Sequence, residues 1–250
     1  MLLATQTVLF AGYSLRDAEF VRIYDLLTKE MGGMIPHAYI IAFTEDSAAR
    51  FREMGMTPVV TDATYFMENV RKHMVERGLL LAESRFDGVR AKSAEIYAKH
   101  EALAGLDEQM APAIFFTSMF HDGVLSAFSH TLACKPTGTF YDPHRISHLI
   151  HEINESRDEM ESLGRYEDVA YLQGQLDAYL FIIASDEDRK HFPSYFVFGI
   201  EEAILTEEAF LEDASRAAEL HPKAYERART ILEKHGGDGL AIHHTPHMYC

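Results

Sequence analysis

Through the first third of the chain, short apolar runs alternate with stretches whose apolar residues recur at helical spacing. A run at about 7–11 leads through a Gly-containing turn to Phe20, Ile23, Tyr24 and Leu27, which share one face of a helix. Gly32 and Gly33 punctuate the end of that helix, and Pro36 prevents its continuation. Residues 38–43 (AYIIAF) read as a strand buried on both faces. Glu45 to Met54 then makes a short helix ended by Gly55, a third strand follows at about 57–60, and Thr61 to Met74 starts another helix. Strands alternating with helices predict a parallel sheet with right-handed crossovers.

Three strands leave much edge and face unburied. The pattern therefore points to an incomplete α/β half: either strands that precede Met1 are missing from this chain, or another polypeptide covers the exposed side. The first is favoured because buried-type strands rarely stand at a chain end.

Beyond Gly78 the period is helical throughout. Helices are expected at about Phe86 to Leu103, Ala111 to Leu132, Pro143 to Leu163, Tyr166 to Ala184, Thr206 to Leu220 and Pro222 to Lys234. Asp142 before Pro143 is an N-cap acceptor with proline at the first helical position, and His221 before Pro222 is a weaker version. Residues 135–141 (KPTGTFY) read as a loop, 186–193 as a charged connection, and the chain from about 236 as a loose tail. The aromatic cluster 192–198 (FPSYFVF) is compatible with a strand packed on the helices or with a protein interface.

Composition narrows the class. At 47% hydrophobic and 25% charged residues the chain falls within the globular range. No unbroken apolar stretch approaches the roughly 18 to 20 residues of a spanning helix, so no membrane residence is expected. Met1 to Phe10 has neither a basic n-region nor a small-residue cleavage site. Two cysteines, Cys134 and Cys250, make no disulfide framework, and a cytoplasmic location follows as the expectation. The net charge of −16 is uneven: residues 1–110 carry 12 Lys/Arg against 16 Asp/Glu, and residues 111–250 carry 11 against 23. Clustered cations for phosphate neutralisation are lacking, so nucleic acid is not an expected direct ligand.

The strongest candidate for chemistry is the turn Gly12-Tyr13-Ser14-Leu15-Arg16-Asp17 between the first strand and its helix. In open α/β sheets ligands collect at the carboxyl ends of strands, where glycine permits close backbone approach and a helix N-terminus attracts phosphate. Ser14 is placed to donate to a phosphate or ribose oxygen, and Asp17 to cap the helix. A tight turn with an Asp cap accounts for the same residues without a ligand, since this is not a GxGxxG sequence.

Residues 8–27 (VLFAGYSLRDAEFVRIYDLL) resemble the closing segment of the sirtuin-like NAD-binding domain, especially the divergent bacterial branch used in antiphage defence. A strand ending in a Gly-Tyr-Ser-Leu-x-Asp turn marks that branch, and residues 37–74 follow in the order the family shows. The resemblance covers about residues 6–76. It implies a Rossmann-like sheet that handles NAD as ligand or substrate. Gly12 and Ser14 would inherit the approach to the cofactor's phosphates and ribose, with Tyr13 departing from the family's Thr. Thr61, Asp62 and Ala63 would lie near the adenine. The usual reaction of the defence branch is hydrolysis of NAD at the nicotinamide–ribose bond.

Departures from the family matter as much. Its glycine-rich phosphate loop, its motif with the catalytic asparagine and its Leu-His-Gly motif with the catalytic histidine do not occur in residues 1–250. No catalytic residue is assigned, and this chain alone is expected to lack NADase activity. The expected fold is thus α/β followed by all-α: an incomplete Rossmann-like sheet of three strands over 1–78, then an acidic helical domain over 79–250 that mediates assembly or sensing. Expected partners are further copies of the chain or a partner defence subunit. A non-enzymatic interaction module is the alternative, and a metal-binding helical protein a further one.

The histidines motivate that last alternative. His144, His148 and His151 with Glu155 follow i, i+4, i+7 and i+11, so on a helix they share a face whose spacing is compatible with Zn or di-metal ligation. Ile146, Leu149, Ile150, Ile153 and Met160 lie opposite, which makes a solvated polar face the favoured reading. His243, His244, His247 and Cys250 are soft ligands in the tail, and His121-Asp122 is too short a motif to use. Cys134 reads as an inert thiol. The helix Tyr166 to Ala184 is apolar nearly all round, so Asp177 within it needs a hydrogen-bonded or charged partner.

Overall fold

A computed structural model of the chain describes residues 7–12, 18–31, 37–107 and 110–235. They form two compact units, divided after Arg77.

The first unit is a small parallel sheet with helices. Strands β1 (Val8–Phe10), β2 (Ala38–Ala42) and β3 (Thr57–Val60) lie in the order β1-β2-β3, all parallel, with Val8 opposite Ala38 and Tyr39 opposite Thr57. The connecting helices are α1 (Ala18–Met31) and α2 (Glu45–Glu53), and α3 (Ala63–Glu76) follows β3. Side chains alternate along each strand, so Ala38, Ile40 and Ala42 face one way. They are covered by Phe20 and Tyr24 of α1 and by Ala48 and Phe51 of α2, with Met56. Phe10 packs edge-on against Phe20, ring centroids 4.9 Å apart. On the other face Ile41 is buried, Tyr39 and Val59 are half-buried and Leu9 is exposed. Helix α3 buries no residue.

Each strand matches the apolar run that predicts it. Helix α3 begins two residues later than its pattern suggests. The amide of Thr61 is still in the ladder, donating to the Ala42 carbonyl at 3.0 Å, and Asp62 is the N-cap, accepting from the Tyr65 amide at 3.0 Å.

The second unit is helical: α4 (Ser84–Ala102), α5 (Ala111–Ala133), α6 (Pro143–Ser162), α7 (Tyr166–Ile183), α8 (Glu207–Leu220) and α9 (Pro222–His235). The expected loop at 135–141 is wound into two short 3-10 turns about Gly138. Helices α5 and α7, each apolar on most sides, are the axis of the unit. They meet backbone to backbone at one point. A Cβ on Gly123 would stand 1.9 Å from the Tyr171 carbonyl oxygen, and one on Gly174 would stand 2.0 Å from that of Phe120. Mid-helix glycine destabilises by about 1 kcal/mol relative to alanine, and here the pair repays it by letting two apolar helices pack at the closest separation.

Around this crossing lie two cores. One joins α5, α8 and α9 through Phe116, Phe198, Phe210 and Tyr225. The other joins α4 through α7 with Phe86, Phe120, Phe128, Phe140, Ile146 and Ile182. The last turn of α7 is closed by two arginines: Arg85 Nη1 donates to the Ala184 carbonyl at 2.6 Å, and Arg189 Nε to that of Phe181 at 2.8 Å. They take carbonyls that a helix end otherwise leaves unpaired.

The segment 192–198 is neither a strand in a sheet nor an exposed interface. Phe192, Ser194, Tyr195, Val197 and Phe198 are buried, and its ladder is a single bridge between Tyr195 and Ile204. Helix α5 supplies the missing partners: Thr117 Oγ1 donates to the Phe196 carbonyl at 2.8 Å, and His121 Nε2 to that of Ser194 at 2.7 Å.

Candidate functional site

Because the strands are parallel, their carboxyl ends share one edge of the sheet. Gly12 follows β1, Phe43 and Thr44 follow β2, and Thr61 and Asp62 follow β3. Two strand spacings, about 10 Å, separate the first group from the last. Helices α2 and α3 also start at this edge, directing partial positive charge toward it.

Gly12 has φ +79°, in the left-handed region, and among the described residues no atom lies within 4 Å of the position a Cβ would take. Glycine is thus required by conformation, and open space above it admits a ligand to the backbone. Tyr13, Ser14 and Asp17, the other candidates of the turn, lie outside the described residues. Thr61 and Asp62 have structural duties. The Thr61 amide is bonded to Ala42, and the Asp62 carboxylate caps α3. Thr44 caps α2 in the same way, accepting from the Ser47 amide at 3.3 Å. The first turns of α2 and α3 are each partly satisfied from within.

Phe43 drew no attention in the sequence because it ends an apolar run. In the structure it stands 78% exposed at the middle of this edge. A shallow depression lies farther along α3, lined by Ala63, Thr64, Met67, Glu68 and Arg71.

A second polar cluster sits inside the helical unit. His121 is fully buried. Its Nε2 must carry the proton, because a carbonyl oxygen can only accept, and its Nδ1 is enclosed without a partner among the described residues. Burial pushes the ring's pKa down to about 4, reinforced by nearby His100 and Lys99 and opposed by the Ser194 carbonyl. His100 lies with its ring 5.7 Å from that of His121. Lys99 donates to Ser194 Oγ at 2.5 Å and to Glu95 at 2.8 Å, and Lys92 donates to the other Glu95 oxygen at 2.7 Å. Burial alone would raise the Glu95 carboxyl, but the two lysines hold it below the usual range. The cluster fastens segment 192–198 to α4 and α5.

His144, His148, His151 and Glu155 lie on the exposed face of α6, with Ile146 buried opposite. His148 pairs with Glu152 at 3.5 Å and His151 with Glu155 at 3.3 Å, and no group of three or more metal-ligating side chains forms among the described residues. His243, His244, His247 and Cys250 lie outside the described residues. Asp177 has its partner: Gln173 Nε2 donates to it at 2.9 Å, and Arg157 in turn donates to Gln173 Oε1 at 2.9 Å. Burial nevertheless pushes its carboxyl up to about 7, against the opposing influence of Gln173 and Arg157. Among the described residues no helix is long and apolar enough to cross a membrane. Compared with family models, curated proteins and solved structures, the chain matches none.

Proposed function

We propose that the sheet unit is the nucleotide-holding part of a sirtuin-like, Rossmann-type domain and that NAD lies across the carboxyl edge of its strands. The observation that carries this reading is the convergence of three parallel strand ends on one edge, with an open, left-handed Gly12 at the first of them. Gly12 would let the diphosphate approach the backbone, α1 would present its N-terminal amides to it, and Ser14 would donate a hydrogen bond. When bound, NAD supplies the nicotinamide–ribose bond that the resembling family hydrolyses. Residues 1–250 hold neither of that family's catalytic motifs, so this chain by itself binds without turning over. The helical unit would serve assembly or sensing in a bacterial defence protein.

Isothermal titration of NAD against the chain and against Ser14→Arg tests the reading. A micromolar-range heat lost in the variant is expected. Equal affinities would remove the turn from the site.

A second reading, an interaction module with no nucleotide, is favoured by the apolar surface of the sheet unit. Ile23 and Leu26 on α1 and Tyr65, Met67 and Val70 on α3 are exposed, which gives two helices apolar side chains that a partner could cover. It predicts no heat with NAD and a concentration-dependent mass in sedimentation.

A further inference from the structure

Phe43 is more exposed than any other large apolar side chain among the described residues, and it is held in place on both sides. Ala42, before it, is buried in β2, and its carbonyl takes the Thr61 amide at 3.0 Å. Thr44, after it, is fixed in extended backbone (φ −133°, ψ 156°) as the cap of α2. The chain therefore has little freedom to withdraw the ring, and folding gains nothing from it, since burial of a phenylalanine is worth about 2 kcal/mol. It occupies the central strand, one strand spacing from Gly12 and one from Thr61. An aromatic face at that distance from an open glycine backbone fits a ligand with a charged middle and a flat ring at its end.

Resting on the nucleotide reading above, we infer that Phe43 is the platform on which a heteroaromatic base of the bound nucleotide stacks. Stacking is indifferent to the identity of the base, as every base presents a π face. Adenine and nicotinamide are the two rings that NAD offers. Tyr65, exposed in the first turn of α3 at the same edge, is a second aromatic but belongs to a helix whose start is already spent on its own cap.

The chain contains no tryptophan, so Phe43→Trp makes a single fluorescent reporter and Ile23→Trp, on exposed α1, makes its control. Each is titrated with NAD, AMP and nicotinamide mononucleotide, with calorimetry of NAD on the same samples and on Phe43→Ala. Expected results are quenching at position 43 but not at 23, and an affinity about tenfold weaker in Phe43→Ala, in line with the loss of one base–aromatic stack. Quenching by AMP assigns the adenine end, and quenching by the mononucleotide the nicotinamide end; either supports the inference. Heat of NAD binding with no quenching at 43, or equal quenching at both positions, overturns it while the nucleotide reading stands. No heat with NAD in the unmodified chain overturns both.

Discussion

The sheet unit and the helical unit bury their apolar residues by different means. In the helical unit, two all-round apolar helices cross at a pair of glycines and draw four others and a buried irregular segment around them. In the sheet unit, one face of a three-stranded sheet is covered by two helices, while Leu9 on the other face and Tyr65, Met67 and Val70 of α3 stay exposed to water. The first arrangement closes on itself; the second does not. Stability should therefore be concentrated in residues 78–235, and tolerance to surface change should differ between the units in a measurable way.

The largest expected effect tests the crossing. In Gly174→Ala or Gly123→Ala the new methyl meets a backbone carbonyl that cannot swing aside, so a loss of at least about 3 kcal/mol is expected. Hydrogen exchange should show it in α4 to α9 and leave β1 to β3 unchanged. Loss of protection in both units would mean they unfold together.

Next come two buried groups of the helical unit that titrate in opposite senses. His121 has a folded pKa of about 4 against 6.5 when free, so its contribution is complete above pH 6.5 and is lost as pH falls toward 4, by about 3 kcal/mol at the limit. Asp177, at about 7 against 3.8, contributes fully below 3.8 and loses that contribution as pH rises to 7, by a similar amount. Between pH 4 and 6.5 the two slopes oppose each other. Urea midpoints should vary little with pH there in the unmodified protein. Asp177→Asn should be more stable at pH 8 by about 2 kcal/mol and should rise in stability from pH 4 to 6.5. A variant whose midpoints track the unmodified protein at every pH would rule out an enclosed, neutral Asp177.

Smaller effects belong to the sheet unit. Gly12→Ala forces a left-handed conformation on a residue with a Cβ and should destabilise by about 1 kcal/mol, seen as faster exchange of β1 and β2 amides. Leu26→Lys and Met67→Gln, on exposed faces, should change stability by no more than about 0.5 kcal/mol. A loss several times larger would show that those faces are covered in solution, and sedimentation would then tell whether a second copy covers them.

How far the sequence discloses this molecule depends on what each residue needs in order to act. Strands and helices are legible because period and punctuation are local: AYIIAF becomes β2, Asp142-Pro143 starts α6, and the solvated histidine face of α6 follows from the isoleucines opposite it. The segment 192–198 is misleading because its β-type composition is answered by Thr117 and His121 from a helix more than seventy residues away. Gly123 and Gly174 give no sign of their pairing, since a mid-helix glycine declares a weakness and not the neighbour that offsets it. At the candidate site, position along the strand identifies Gly12, whereas Phe43 is hidden: an aromatic closing an apolar run reads as core until the next residue is seen to be a cap.

The glycine crossing also limits how the helical unit can move. A slip of α5 along α7 by one turn would bring Phe120 or Ala127, the same-face neighbours of Gly123, to the spot where only a hydrogen fits. The two helices can pivot about that point like blades on a pin, but they cannot slide. Any signal carried through this unit would have to travel as a change of angle, with the residues farthest from the pin, near Ala111 and Ala184, sweeping the widest arc.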